Sequence, residues 1–250
     1  MTNVGFSTGA ISLGDFNLAL ELLKSKPADS VELSALRFRE LGPLVDAIPQ
    51  LALAKYSHIS LHVPSVFSLQ EEQEIIELVT GLPLNWLLIL HPDTIHDFSL
   101  WSKLGDRIAI ENMDRRKGRG RTADELDSCF TCLPDARLCF DIGHARQMDP
   151  SMSEAYLILS RFSPRLAQVH VSEVDSQSRH AVITYAAELA FREVAGLIPD
   201  TTPLILESRV SPEQIVSEMR RAISIFRTPR TENTWDWGEP VMQLPNPQSV

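Results

Sequence analysis

Residues 107–141 read RIAIENMDRRKGRGRTADELDSCFTCLPDARLCFD. Two short apolar runs, RIAIE and RLCFD, each close on an acid, Glu111 and Asp141. Between them lie a basic loop and a stretch with helical character. That is one strand–helix–strand unit of roughly 30 residues. The same grammar extends in both directions. Upstream, HISLH ends in His62, WLLIL is followed by His91, and VGFS and SVE place Ser7 and Glu32 at the matching positions. Downstream, LAQVH ends in His170 and PLILE in Glu207. These eight runs are near-continuously apolar, as expected of parallel strands covered on both faces.

Helical stretches fill the intervals. They are DFNLALELLKS (15–25), ELGPLVDAIPQLALA (40–54, interrupted by proline), QEEQEIIELVT (70–80), a weak one at FSLWSKL (98–104), and TADELDSCF (122–130). SEAYLILSRF (153–162), YAAELAFREVAGLI (185–198) and SPEQIVSEMRRAISIF (211–226) complete the series. In the last, Ser211 is the expected N-cap, with Pro212 at the first helical position and Gln214 closing a capping box. Eight strands alternating with helices in 250 residues predict an α/β fold, a single (β/α)8 TIM barrel over residues 1–228. Residues 229–250 are expected to form an extended C-terminal tail. Trp235 and Trp237 would anchor that tail to the barrel or, in a homodimer, to a neighbouring subunit.

In such a barrel the C-terminal strand ends converge on one face, where chemistry is carried. A lone strand-end histidine or acid reads as an ordinary hydrogen-bonded or solvated side chain. Six strands ending in His, His, Glu, Asp, His and Glu read differently, because that many carboxylates and imidazoles repel one another unless a cation joins them. A divalent-metal site is therefore expected at His62, His91, Glu111, Asp141, His170 and Glu207, holding zinc, manganese or iron.

The bulk composition agrees with a small-molecule enzyme. Hydrophobic residues make up 44% and charged residues 22%, as in ordinary globular proteins. With 23 basic and 33 acidic residues the net charge is -10, which disfavours general binding to phosphate backbones. The N-terminus does not read as a signal peptide and no run reaches membrane-spanning length, so a cytoplasmic location is expected, with no membrane partner. Cys129 and Cys132 form a C-x-x-C near the end of a predicted helix, away from the positive N-terminus that activates thiols, and read as packing residues.

The motifs IAIENM (108–113), FDIGHA (140–145), QVHVSE (168–173) and LILES (204–208) resemble the xylose isomerase-like TIM-barrel superfamily. This superfamily includes sugar isomerases and epimerases and the endonuclease IV (AP endonuclease family 2) group. The resemblance covers about residues 4–228. In the isomerase branch it implies one metal held by Glu111, Asp141, His170 and Glu207. Glu111 and Glu207 would act as the catalytic proton-transfer pair, and His144 would contact substrate hydroxyls. In the endonuclease branch it implies a second metal at His62 and His91, bridged by Glu111. A third zinc there uses an Asp-x-His; here His180 is present but Ser178 stands in the aspartate position.

The leading expectation is thus a divalent-metal-dependent isomerase or epimerase of a small sugar, polyol or phosphosugar. The alternative is a multi-metal phosphoester hydrolase of the endonuclease IV type, and a third reading is a barrel that keeps its metal without catalysis. Further substrate-binding candidates are His180, Glu32, Arg209 and Arg119. Arg119 lies in the basic loop Arg115–Arg121, which reads equally as a phosphate clamp or as a solvated loop. Glu32 reads either as a sugar-hydroxyl ligand or as an orienting group behind a metal ligand.

Overall fold

The computed structural model describes residues 3–227. Eight parallel strands close into a barrel: β1 (Val4–Ser7), β2 (Ser30–Ser34), β3 (His58–His62), β4 (Leu87–Leu90), β5 (Ile108–Glu111), β6 (Arg137–Asp141), β7 (Leu166–Val171) and β10 (Leu204–Leu206). Each pairs with its sequence neighbour, and β10 pairs with β1 to complete the ring. This is the (β/α)8 barrel expected from the sequence. A two-stranded antiparallel hairpin, β8 (Glu173–Val174) and β9 (His180–Ala181), is inserted after β7. No helix among the described residues is long and apolar enough to cross a membrane.

The outer helices are α1 (Thr8–Ser12), α2 (Phe16–Leu23), α3 (Phe38–Ala47), α4 (Leu69–Thr80), α5 (Phe98–Ser102), α6 (Ala123–Cys132), α7 (Ile142–Met148), α8 (Ser153–Phe162), α9 (Tyr185–Val194) and α10 (Ile215–Phe226). They pack on the outward-facing strand residues, such as Val31, Leu33, Leu88, Leu90, Ile110, Leu138 and Phe140, in one continuous core. Inward-facing residues alternate with these. Leu87, Ile89, Ala109 and Cys139 form a small separate apolar cluster inside the ring. Gly5 faces the crowded β1–β2 seam, where a Cβ would lie 1.7 Å from the Ser30 carbonyl oxygen. Only glycine permits that approach.

Three local readings are corrected. The helix after β2 runs through Pro43 without interruption and ends at Ala47, followed by a 3₁₀ turn over Ile48–Gln50 that contains Pro49. Helix α10 begins at Ile215, not Pro212. Residues 212–214 form a turn in which Gln214 accepts the Ser211 amide at 3.0 Å, so that half of the capping box survives as a turn bond. Helices α1 and α7 follow their strands directly and were not anticipated. The expected tail, with Trp235 and Trp237, lies outside the described residues.

Candidate metal centre

Strand alternation explains which side chains meet. Register pairs Ser34 with His62 and Asp141 with His170, and the residue two positions further on along each strand points the same way. His62, His91, Glu111, Asp141, His170 and Glu207 therefore converge at the C-terminal mouth. Glu111 lies at the centre. Its Oε2 is 3.2 Å from both His62 Nε2 and His91 Nε2, and its Oε1 is 3.3 Å from His170 Nδ1 and 3.4 Å from His144 Nδ1. Each carboxylate oxygen thus addresses a different group of imidazoles.

Among the described residues, three sets of donors lie within 4.8 Å of one another. They are Glu111–Asp141–His170–Glu207, His62–His91–Glu111 and Asp141–His144–His180. The donor set fits a cation on independent grounds. Asp141 Oδ2, His91 Nδ1 and His170 Nδ1 are buried without a hydrogen-bond partner, which is costly for polar atoms in an interior. Asp141 Oδ1 is already committed, accepting the His144 amide at 2.6 Å as the N-cap of α7. His62 donates from Nδ1 to the Val63 carbonyl at 2.8 Å, and His144 from Nδ1 to the Asn112 carbonyl at 2.9 Å. Backbone carbonyls of this kind commonly fix the tautomer of metal-binding histidines.

The electrostatics show the strain of assembling these groups. Burial pushes the Glu207 carboxyl up to about 8, and burial also raises Asp141. Burial would likewise raise Glu111, but His170 and His91 outweigh it and hold Glu111 well below the ordinary carboxylate range. Burial would lower His62, but its hydrogen bond to Glu111 and nearby carboxylates carry it to about 9. His170 is raised well above the usual imidazole value by Cys139, Glu207, Glu32 and Glu111, again against burial.

A cavity of about 290 Å³ opens above this cluster. His62, His91, Glu111 and Glu207 form part of its floor, with His144 and His180 beside them. Asp114, Arg116, Lys117, Ser178 and Arg209 line one part of the wall, and Ser7, Ser34, Leu13 and Leu36 another. Ser178 turns away from the histidines: its hydroxyl donates to Asp114 at 2.8 Å. The basic loop is partly exposed, with Arg116 and Lys117 reaching the cavity, and several of its side chains have partners within the protein. Arg116 binds Asp114 and the Ser178 carbonyl, Lys117 binds Asp93, and Arg121 binds Glu125. Arg115 donates to Gln147. Arg119 donates to the carbonyls of Pro92 and Ile95 and lies over Phe98, outside the cavity lining.

Glu32 also lies outside the cavity, fully buried beneath its floor. Strand β2 runs two residues beyond it, so Ser34 is the residue level with His62. Sequence reasoning missed Ser34 and the partners of Glu32, because serine and glutamine inside an apolar run carry no metal signature. Of the two cysteines expected to pack, only Cys129 does so. Cys129 is buried, with its thiol pushed up to about 11 by burial, and Cys132 is exposed.

No protein-family profile and no curated protein sequence matches the chain. Solved structures do. A "putative sugar phosphate isomerase/epimerase" from Anabaena variabilis superposes with a TM-score of 0.58 at 12% identity, covering 88% of both chains. A putative uncharacterized protein from Parabacteroides distasonis gives a TM-score of 0.53 at 13% identity, covering 88% of this chain and 98% of that one. At these identities the likeness is one of architecture. What the three chains share is the (β/α)8 barrel.

Proposed function

We propose that the protein is a divalent-metal-dependent isomerase or epimerase of a small sugar, polyol or phosphosugar. The observation that carries this reading is the convergence of Glu111, Asp141, His170 and Glu207 within 4.8 Å beneath an open cavity of about 290 Å³. When bound there, a divalent cation supplies Lewis acidity toward neighbouring substrate oxygens.

The side chains then have distinct tasks. Burial keeps Glu207 near neutrality in its affinity for a proton, at about 8, which suits a group that must both take and give one. Glu207 and Glu111 face the cavity from different strands. One removes the proton from the carbon next to the carbonyl and the other delivers a proton to the neighbouring or opposite position. His144, with Nδ1 committed to the Asn112 carbonyl, has Nε2 for a substrate hydroxyl. His180 and Arg209 stand at the wall, where they would contact the distal end of the ligand. The neighbour from Anabaena, described as a "putative sugar phosphate isomerase/epimerase", is in keeping with this substrate class.

The test is Glu207→Gln with a panel of small sugars and their phosphates in deuterated water. Wild type should place solvent deuterium on carbon in at least one of them. The variant should fold normally and lose that exchange. A protein that binds sugars and never exchanges a carbon-bound hydrogen sinks this mechanism.

The His62–His91–Glu111 group favours a second reading, a two-metal phosphoesterase, because it offers a bridging carboxylate. Cleavage of phosphate esters or abasic-site duplex DNA, lost in His91→Ala, would put that reading first.

A further inference from the structure

The interior of a TIM barrel is usually filled by branched apolar side chains in layers. Here the β4–β6 side follows that rule, with Leu87, Ile89, Ala109 and Cys139. The opposite side carries Ser30, Glu32, Ser60 and Gln168, all fully buried, with the partly buried His58 at the lower end. Burying a carboxylate and an amide in a barrel centre is costly unless their hydrogen bonds are made. At Glu32 Oε2 and the Gln168 amide they are made, in one continuous chain, while Glu32 Oε1 is buried without a partner. His58 Nε2 is 2.7 Å from Gln168 Oε1, Gln168 Nε2 is 2.8 Å from Glu32 Oε2, and Glu32 Oε2 is 2.9 Å from His170 Nε2.

The direction of every bond follows from one group. An ionised carboxylate only accepts. Glu32 therefore turns the Gln168 amide so that its nitrogen donates, and the second N–H of that amide points to Cys139 Sγ at 3.8 Å. The Gln168 oxygen then faces His58, which must donate from Nε2. By the same logic His170 donates to Glu32 from Nε2, although Gln168 Nε2 lies as close as 3.0 Å. Nδ1 is the ring atom left over. It is buried without a hydrogen-bond partner and points between Glu111 and Glu207, at 3.3 and 3.5 Å.

We infer that His58, Gln168 and Glu32 are positioning residues that run through the barrel interior and hold His170 with Nε2–H behind it and Nδ1 facing the metal centre. The chain's far end, His58, lines a separate cavity of about 430 Å³ at the opposite mouth, together with Trp86, Arg107 and Thr202. The geometry of the centre is thus set partly from the face that carries no chemistry. The inference rests on the metal-site reading above, and it does not depend on which reaction is catalysed.

The test measures zinc affinity by chelator competition, with circular dichroism and thermal unfolding as folding controls. Glu32→Leu and Gln168→Met should weaken zinc binding by about 10- to 100-fold. His58→Leu, which touches none of the ligands, should weaken it by a smaller factor, and His58→Gln, which keeps an N–H donor, should restore it. In zinc-loaded protein, nitrogen-15 spectra should show His170 with a slowly exchanging Nε2–H that is lost in Glu32→Leu. Should Glu32→Leu fail to fold, the His58 pair decides. Folded Gln168→Met and His58→Leu with wild-type zinc affinity overturn the inference, as does a zinc-loaded His170 lacking its Nε2 proton. A wild type that binds none of zinc, manganese and iron overturns the metal reading and this inference together, whereas metal binding without sugar turnover touches only the proposed reaction.

Discussion

Asn112 and Asp141 hold each other in a reciprocal pair. The Asn112 amide nitrogen donates to the Asp141 carbonyl at 2.8 Å, and its amide oxygen accepts the Asp141 backbone N–H at 2.7 Å. The β5–β6 ladder ends at Glu111 and Cys139, so this side chain carries the pairing past the point where the backbones part. The Glu-Asn of IAIENM thereby divides in two: the glutamate faces the histidine cluster and the asparagine fixes the strand end opposite it.

Asn112→Ala leaves a buried N–H and a buried carbonyl unpaired and should destabilise the fold by about 2–4 kcal/mol. Chemical denaturation would read this as a lower midpoint with an unchanged slope. A change within experimental error would mean that the pair is redundant.

Zinc binding near pH 7 should release protons. Without a cation, Glu207 titrates at about 8 and His62 at about 9, so both hold a proton that a metal must displace. Apparent affinity should therefore rise as pH increases through this range and fall as pH drops. Calorimetry in buffers of different ionisation enthalpy counts the protons; a count of zero contradicts the placement of Glu207 or His62 as ligands.

Asp114 should make the protein acid-sensitive. Burial would raise its carboxyl, but hydrogen bonds from the Arg116 side chain and backbone and from Ser178 hold it well below its ordinary value of 3.8. A depressed folded-state value means that its contribution is complete above about pH 4 and is lost as pH falls toward the folded-state value. In Asp114→Asn, stability measured from pH 5 to 2 should fall less steeply than in wild type. A parallel slope would show that other carboxylates dominate.

The barrel and most of its mouth were legible because each strand is an apolar run that stops at a polar side chain of a distinctive type. His62, His91, Glu111, Asp141, His170 and Glu207 all converge as their positions imply. Glu32 was legible only as one of two alternatives, since a carboxylate closing an apolar run resembles a rim residue even when its strand runs two residues further. The hairpin of β8 and β9 left no trace because two-residue strands show no alternation. Helix α7 was hidden because it starts on the residue after β6, with Asp141 acting as both strand end and cap. The partners of Arg119 were not legible for another reason: charge is visible in sequence, whereas its acceptors, the carbonyls of Pro92 and Ile95, come from distant backbone.

The divided role of Asp141 has a practical consequence. One oxygen holds the first turn of α7 through the His144 amide, while the other is free to face the cluster. Any pull on the free oxygen is transmitted through a single rigid carboxylate to that amide proton. If the proposed centre takes an ion, the His144 backbone resonance should shift on its arrival, without a label, a substrate or turnover.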